Sequence, residues 1–250
     1  MKRLIIKALL FLLIAPTGAL AQNAGPEAGA LSLDEVLTKY YDAIGGLGNW
    51  EKVDTMVMEG NIHTQELKIP TAAEYMRPDK CRVEYTIRGE VVVQAYDGRS
   101  AWEKNPHSGT PGAVKLDKGR TDYLADKCDI EGPLVGYKAK NLKVSLDGRE
   151  EVGKVNTYKI RVDYPSGNVQ YYFLDPETFR PVQAIGVFNV GGKSSAVKTR
   201  FDDYRSVSGL YVPFRLLFSK QDGAPTEELR VDSVVVNSGV AEKIFSMPAK

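Results

Sequence analysis

The chain has 250 residues, of which 43% are hydrophobic, and its 33 basic and 32 acidic side chains leave a formal net charge of +1. This balance excludes the strongly basic surface that nucleic-acid binding requires. The two cysteines and two histidines show no ligand spacing, so the sequence predicts neither a metal site nor a cofactor.

Residues 1–21 have the features of a secretory signal peptide. A basic start precedes an apolar core and a small-residue cleavage site, Ala19-Leu20-Ala21. The core is too short to span a bilayer, and the first cysteine, Cys81, is far from the cleavage site. We therefore expect a periplasmic protein without a membrane or lipid anchor, with residues 22–30 as a flexible leader.

The mature chain is predicted to begin with a helix. Ser32 is a suitable N-cap, Glu35 completes a capping box, and Gly45-Gly46 provides the stop. The apolar residues at helical spacing are Leu33, Val36, Leu37, Tyr40 and Ile44. This stripe predicts that the helix packs against the rest of the domain.

From Val53 onward, alternating apolar and polar residues predict β-strands separated by turn sequences such as Asp97-Gly98. The predicted strands are 53–64, 67–77, 80–88, 90–97, 99–105, 141–147, 155–164, 168–175, 181–190, 195–205, 210–219 and 226–237. So many strands in an antiparallel meander favour a barrel or part-barrel over an open sheet. Residues 106–140 interrupt the meander, and they are expected to form a helical insertion with helix at about 117–127 and a turn or second helix at 134–137.

The faces of these strands carry more large apolar residues than the few helices could cover. Two alternatives follow, which are a fully packed core and an apolar cavity. An acyl chain of about sixteen carbons would gain roughly 12 kcal/mol from burial at about 0.8 kcal/mol per methylene. Only an enclosed apolar pocket could supply that free energy.

The two cysteines, Cys81 and Cys128, would lie in an oxidising compartment. They are expected either to form a disulfide or to remain free, with Cys81 packed on its strand. A disulfide would close a loop of about fifty residues and stabilise the fold by roughly 4 kcal/mol.

Catalytic motifs are absent from the sequence, which contains no G-x-S-x-G, H-E-x-x-H, Walker or Rossmann pattern. We therefore do not expect an enzyme. Arg77 precedes Pro78 at the end of a predicted strand, and Arg82 and Arg215 flank apolar stripes. Each would face a lipid phosphate, a partner protein or solvent.

Several segments resemble the LolA/LolB-like outer-membrane lipoprotein-sorting superfamily, and together they cover nearly the whole mature chain. They are YMRPDKCRVE (75–84), AYDGRSAW (95–102), AIGG (43–46), YYFLD (171–175), the segment 203–214 that ends in GLYVPF, and FSMP (245–248). The resemblance implies a mainly β (α+β) fold over residues 31–250. This fold is an incomplete antiparallel β-barrel of about eleven strands with helices covering its open mouth.

The resemblance also implies a function. It suggests a soluble periplasmic carrier that binds lipid or lipoprotein acyl chains in an apolar cavity and takes them toward the outer membrane. The expected ligand-binding residues are Val83, Tyr85, Val93, Trp102, Tyr172, Phe188, Phe214, Leu216 and Phe218 in the wall and Leu134 and Tyr137 in the lid. The alternative is an envelope sensor or regulator of the same fold, whose partner is an inner- or outer-membrane protein.

Overall fold

The computed structural model describes residues 31–190, 193–220 and 223–249. The predicted signal peptide and leader, residues 1–30, lie outside these ranges. The helices in the described part are α1 (Leu33–Ala43), α2 (Leu47–Trp50) and α3 (Lys118–Ala125), with 3-10 turns at Pro106–Ser108 and Glu242–Ile244. None of the helices found there has the length and apolar character needed to cross a membrane.

The strands form one antiparallel sheet. They are β1 (Thr55–His63), β2 (Lys68–Met76), β3 (Lys80–Ile87), β4 (Glu90–Tyr96), β5 (Ala101–Lys104), β6 (Ala113–Lys115), β7 (Lys143–Val152), β8 (Val155–Asp163), β9 (Val169–Leu174), β10 (Pro181–Val190), β11 (Lys193–Val207), β12 (Leu210–Lys220) and β13 (Glu227–Val236). The order is β6-β5-β4-β3-β2-β1-β13-β12-β11-β10-β9-β8-β7.

This order confirms the expected incomplete barrel. The first and last strands pair in the middle of the sheet, and β6 and β7 form its two edges, so the sheet is not closed. The sheet has thirteen strands, whereas the sequence pattern predicts twelve and the resemblance implies about eleven. The additional strand β6 was not predicted, because three residues are too few to show an alternating pattern.

Helix α1 begins and ends where the sequence predicts, because local groups satisfy its free backbone ends. Ser32 and Glu35 form the capping box, in which the Ser32 backbone N–H donates to the Glu35 carboxylate at 2.7 Å. Gly45 follows the helix with a φ of +107°, and a Cβ there would lie 2.1 Å from the Gly209 carbonyl oxygen. Only glycine therefore lets the helix end pack against the β11–β12 turn.

Helix α1 covers the concave face of the part of the sheet that is formed by β9 to β12. The Tyr211 N–H of β12 donates to the Ile44 carbonyl at 3.0 Å, and the Arg180 guanidinium donates to the Ala43 carbonyl at 3.0 Å. On the helix, Val36, Leu37 and Tyr40 are buried. The part of the barrel beneath α1 is therefore packed with protein side chains.

The C-terminal segment covers the outer face of β3, β4 and β5. Phe245 is fully buried, and its carbonyl accepts a hydrogen bond of 2.7 Å from the Trp102 indole N–H. Arg82 donates to the Ile244 carbonyl at 3.2 Å. This segment explains why β4 is apolar on both faces.

The β1–β13 pairing depends on Gly60. A Cβ at Gly60 would lie 2.2 Å from the Arg230 carbonyl oxygen, at the point where the β1–β13 register shifts. We expect Gly60→Ala to lower the free energy of unfolding by about 2–3 kcal/mol, because the backbone of β13 cannot move away without breaking the pairing. Urea denaturation followed by circular dichroism would measure this loss.

Gly48→Ala is the matched control, because a Cβ at Gly48 has no neighbouring atom within 4 Å. Alanine there is expected to be neutral or slightly stabilising. Equal unfolding free energies for Gly60→Ala and the parent protein would contradict the close approach of β1 to β13.

Candidate functional site

A cavity of about 330 Å³ lies between α3 and the concave face of the sheet. Its floor comes from β1, β2, β3, β12 and β13, with one contribution from β4. The apolar floor residues are Met58, Ile62, Ala73, Val83, Leu216, Phe218, Leu229 and Val231. The opposite wall is α3, which contributes Tyr123 and Leu124, with Lys127 just beyond its end.

Strand register explains why these residues meet. Ala73 pairs with Met58 on one side and with Val83 on the other, while Leu229 pairs with Ile62 and Leu216. Directly paired residues of antiparallel strands place their side chains on the same face. The cavity floor is therefore a continuous apolar surface across neighbouring strands.

Helix α3 is held over the floor by a disulfide. Cys81 of β3 and Cys128, three residues after the helix, are joined with an S–S distance of 2.01 Å. Both are buried, and they pack with Leu116 and Leu124. Of the two alternatives left by the sequence, the structure contains the disulfide. The helix that was expected at about 117–127 is present at Lys118–Ala125, with Asp117 as its N-cap.

Four of the predicted wall residues line this cavity, namely Val83, Tyr85, Leu216 and Phe218. Burial, together with the smaller effects of the neighbouring Tyr75 and Tyr123, raises the pKa of the Tyr85 hydroxyl to about 12. The hydroxyl is therefore neutral at physiological pH. It can offer a hydrogen bond but no charge to a ligand.

The prediction that Val93 and Trp102 line the wall is corrected, because the structure places both on the face of the sheet opposite to the cavity. Val93 pairs with Glu84, and Trp102 pairs with Ala95, which in turn pairs with Arg82. Both side chains are buried on the outer face of the sheet. The alternation could not decide their direction, because β4, which carries Val93, is apolar on both faces and β5, which carries Trp102, has only four residues.

The other predicted wall residues, Phe188, Tyr172 and Phe214, do not line the cavity. Phe188 packs edge-on against Tyr123, with ring centroids 4.7 Å apart, and so supports α3 without lining the cavity. Tyr172 is partly buried near Tyr40, and burial of its hydroxyl raises the pKa of that group well above the usual value. Phe214 is buried with the Arg205 guanidinium 4.5 Å from its ring centroid.

The predicted lid residues do not cover the cavity. Leu134 is fully buried, and its carbonyl accepts a 3.0 Å hydrogen bond from the Tyr41 hydroxyl, which fixes this segment to α1. Tyr137 is partly exposed beside Lys138. The lid is α3 itself. Met58, Leu229 and Val231 also line the cavity but were not predicted from the sequence. Their common face depends on the pairing of β1 with β13, which lie far apart in the chain.

The three arginines that the sequence left open serve the fold. Arg77 donates to the carbonyls of Val53 and Trp50, both at 2.6 Å, and pairs with Glu131. Arg82 pairs with Glu84 on the outer face. Arg215 contacts the carboxylates of Glu228 and Asp202. None of the three lines the cavity beneath α3.

A second, polar hollow of about 410 Å³ lies around Arg77 and Lys140. Burial raises the pKa of the Asp129 carboxyl to about 6, although Lys140 opposes this rise. Burial also acts on Glu131, but hydrogen bonds from Arg77 and Lys140 prevail and lower its pKa. Within the described ranges, no group of three histidine, cysteine or acidic side chains is arranged to hold a metal ion. This hollow is an internal charge network that ties the 126–142 segment to the sheet.

No family model matches this sequence, and no curated protein matches it. Solved structures do share the fold. A LolA superfamily protein from Nitrosomonas europaea aligns with a TM-score of 0.58 and 13% identity over 87% of this chain and 98% of that one. A domain from Vibrio parahaemolyticus named for outer membrane lipoprotein sorting aligns with a TM-score of 0.55 and 10% identity over 84% and 94% of the two chains.

A DUF1329 family protein from Desulfovibrio piger aligns with a TM-score of 0.53 and 11% identity, over 84% of this chain and 97% of that one. At these identities the similarity shows the fold alone. The chain therefore has the fold of the LolA superfamily, as its sequence motifs suggested.

Proposed function

We propose that this protein is a soluble periplasmic carrier, which binds an acyl chain of a lipid or lipoprotein beneath α3 and takes it toward the outer membrane. The observation that carries the proposal is the cavity of about 330 Å³ with its continuous apolar floor. Ligand sites of proteins are typically concave and mostly apolar, with volumes of about 300–1,000 Å³. An apolar cavity of this kind suits a hydrocarbon chain.

The cavity volume limits how much chain it accepts. At about 30 Å³ per methylene, taken as equal to the share of a water molecule in the liquid, the cavity holds roughly ten methylenes. Their burial contributes about 8 kcal/mol at about 0.8 kcal/mol each. Because association costs free energy, micromolar or weaker binding of a single chain is expected. The rest of a longer chain would extend past α3.

Two further observations support the proposal. The chain has the fold of a domain that is named for outer membrane lipoprotein sorting. The sequence also begins with a predicted signal peptide, and its two cysteines lie far from the predicted cleavage site. A periplasmic protein without a lipid anchor would be free to move between membranes.

Native mass spectrometry of the protein purified from the periplasm tests the proposal directly. We expect one lipid or acylated peptide per protein molecule, released by organic extraction and identified by its mass. Ala73→Phe, purified in parallel, is the control, because its ring would occupy the centre of the cavity floor and leave less room for the acyl chain. An empty protein that also takes up no added fatty acid would contradict the carrier function. Capture of a membrane-protein partner would then test the sensor or regulator alternative.

A further inference from the structure

Lys127 is an exposed residue that lines the cavity, so its side chain lies at the rim. Its ammonium is 4.5 Å from the Tyr123 ring centroid and 5.4 Å from that of Phe188. These cation–π contacts hold the charge beside the apolar wall. The charge is thus placed where the polar end of a bound amphiphile would emerge.

The Lys127 ammonium has no ion-pair partner among the described residues. Two other lysines of the α3 region are neutralised, since Lys118 is 2.6 Å from the Asp122 carboxylate and Lys140 is 2.7 Å from that of Asp129. Lys127 therefore retains a positive charge that an anionic ligand could neutralise.

Gln94 and Glu59, which also line the cavity, are already hydrogen-bonded within the protein, and the Tyr85 hydroxyl carries no charge. The Gln94 amide donates to the Glu103 carboxylate at 2.7 Å. The Glu59 carboxylate accepts from the Ser233 hydroxyl at 3.4 Å. Lys127 is therefore the positively charged hydrogen-bond donor that the polar headgroup of a ligand would contact at the rim.

We propose that Lys127 makes the cavity selective for an anionic amphiphile with one acyl chain. The chain would lie on the floor, and the carboxylate or phosphate oxygens of the headgroup would accept hydrogen bonds from the Lys127 ammonium. This inference rests on the proposed function and adds the chemical class of the ligand. The volume of about 330 Å³ supports one chain and not two. A charged hydrogen bond beside apolar surface is stronger than one in open water.

The test compares three ligands with the same chain, which are dodecanoate, dodecyl phosphate and methyl dodecanoate. Each is titrated by calorimetry into the full mature protein, into Lys127→Gln and into Lys118→Gln. The parent protein is expected to bind the anionic ligands roughly fivefold more tightly than the ester. Lys127→Gln should lose this preference while its affinity for the ester stays the same. Lys118→Gln is the matched control, because Lys118 is ion-paired and does not line the cavity.

Salt provides a second readout, because screening should reduce the preference of the parent protein and leave Lys127→Gln unchanged. Tighter binding of dodecanoate than of dodecyl phosphate would identify a fatty-acid carboxylate as the ligand group, and the reverse order would identify a phosphate headgroup. A preference that survives in Lys127→Gln would overturn the inference and leave the carrier function standing. Failure of all three ligands to bind would refute both.

Discussion

Ala73→Phe is expected to weaken acyl-chain binding roughly hundredfold while the protein remains folded. Ala73 lies at the centre of the cavity floor, between Met58 and Val83. A phenyl ring there would occupy the space of about four methylenes, which corresponds to a loss of about 3 kcal/mol. Titration with a fluorescent fatty acid would measure the change, and thermal unfolding would show that the fold persists.

Ala72→Phe is the matched control. Ala72 is on the same strand and is also half-buried, but it pairs with Glu59 and Glu84 and does not line the cavity. Its affinity should stay close to that of the parent protein. A second pair tests the same floor from β12, where Leu216→Asp should abolish binding and Leu217→Asp should not, since only Leu216 lines the cavity. Unchanged binding by folded Ala73→Phe and Leu216→Asp would show that the ligand site is elsewhere.

Removal of the disulfide is expected to lower the free energy of unfolding by about 4 kcal/mol. The bond closes a loop of 47 residues, and its loss increases the conformational entropy of the unfolded chain by about this amount in the chain-entropy model. The melting temperature of the Cys81→Ala/Cys128→Ala variant should fall by roughly 10 °C. Acyl-chain affinity should fall as well, because the bond holds α3 over the cavity floor.

The parent protein in reductant is the control, since it loses the bond and keeps both sulfur atoms. Its melting temperature should approach that of the double-alanine variant. The remaining difference would report the packing lost at two buried positions. If the oxidised parent and the double variant unfold at the same temperature, the disulfide does not stabilise this fold.

Phe214 was predicted to line the ligand-binding wall, but the structure gives it a different role. The apolar stripe of β12 includes Phe214 together with Leu216 and Phe218, and alternation alone assigns all three to one wall. In the structure Phe214 is buried beside Arg205 and does not line the cavity. A charged substitution there would therefore act on stability and not on the ligand contact.

Features that depend on neighbouring residues could be predicted from the sequence. The capping box of Ser32 and Glu35 specified the start of α1, and turn sequences such as Asp97-Gly98 separated most of the strands. The even number of cysteines pointed to the Cys81–Cys128 bond without excluding free thiols. Local hydrogen bonds and backbone preferences act over a few residues, so short patterns are enough to predict them.

Which strand faces form the cavity depends on contacts between distant parts of the chain. The floor requires β1 to pair with β13 across most of the chain, and no local pattern encodes that pairing. Val93 and Trp102 face away from the cavity because they pack together on the outer face of β4 and β5, where the Trp102 indole donates to the Phe245 carbonyl. Strand alternation shows which residues share a face of the sheet, but it does not show which face points into the cavity. That depends on which distant segments bury each face, and therefore on the packing of the whole domain.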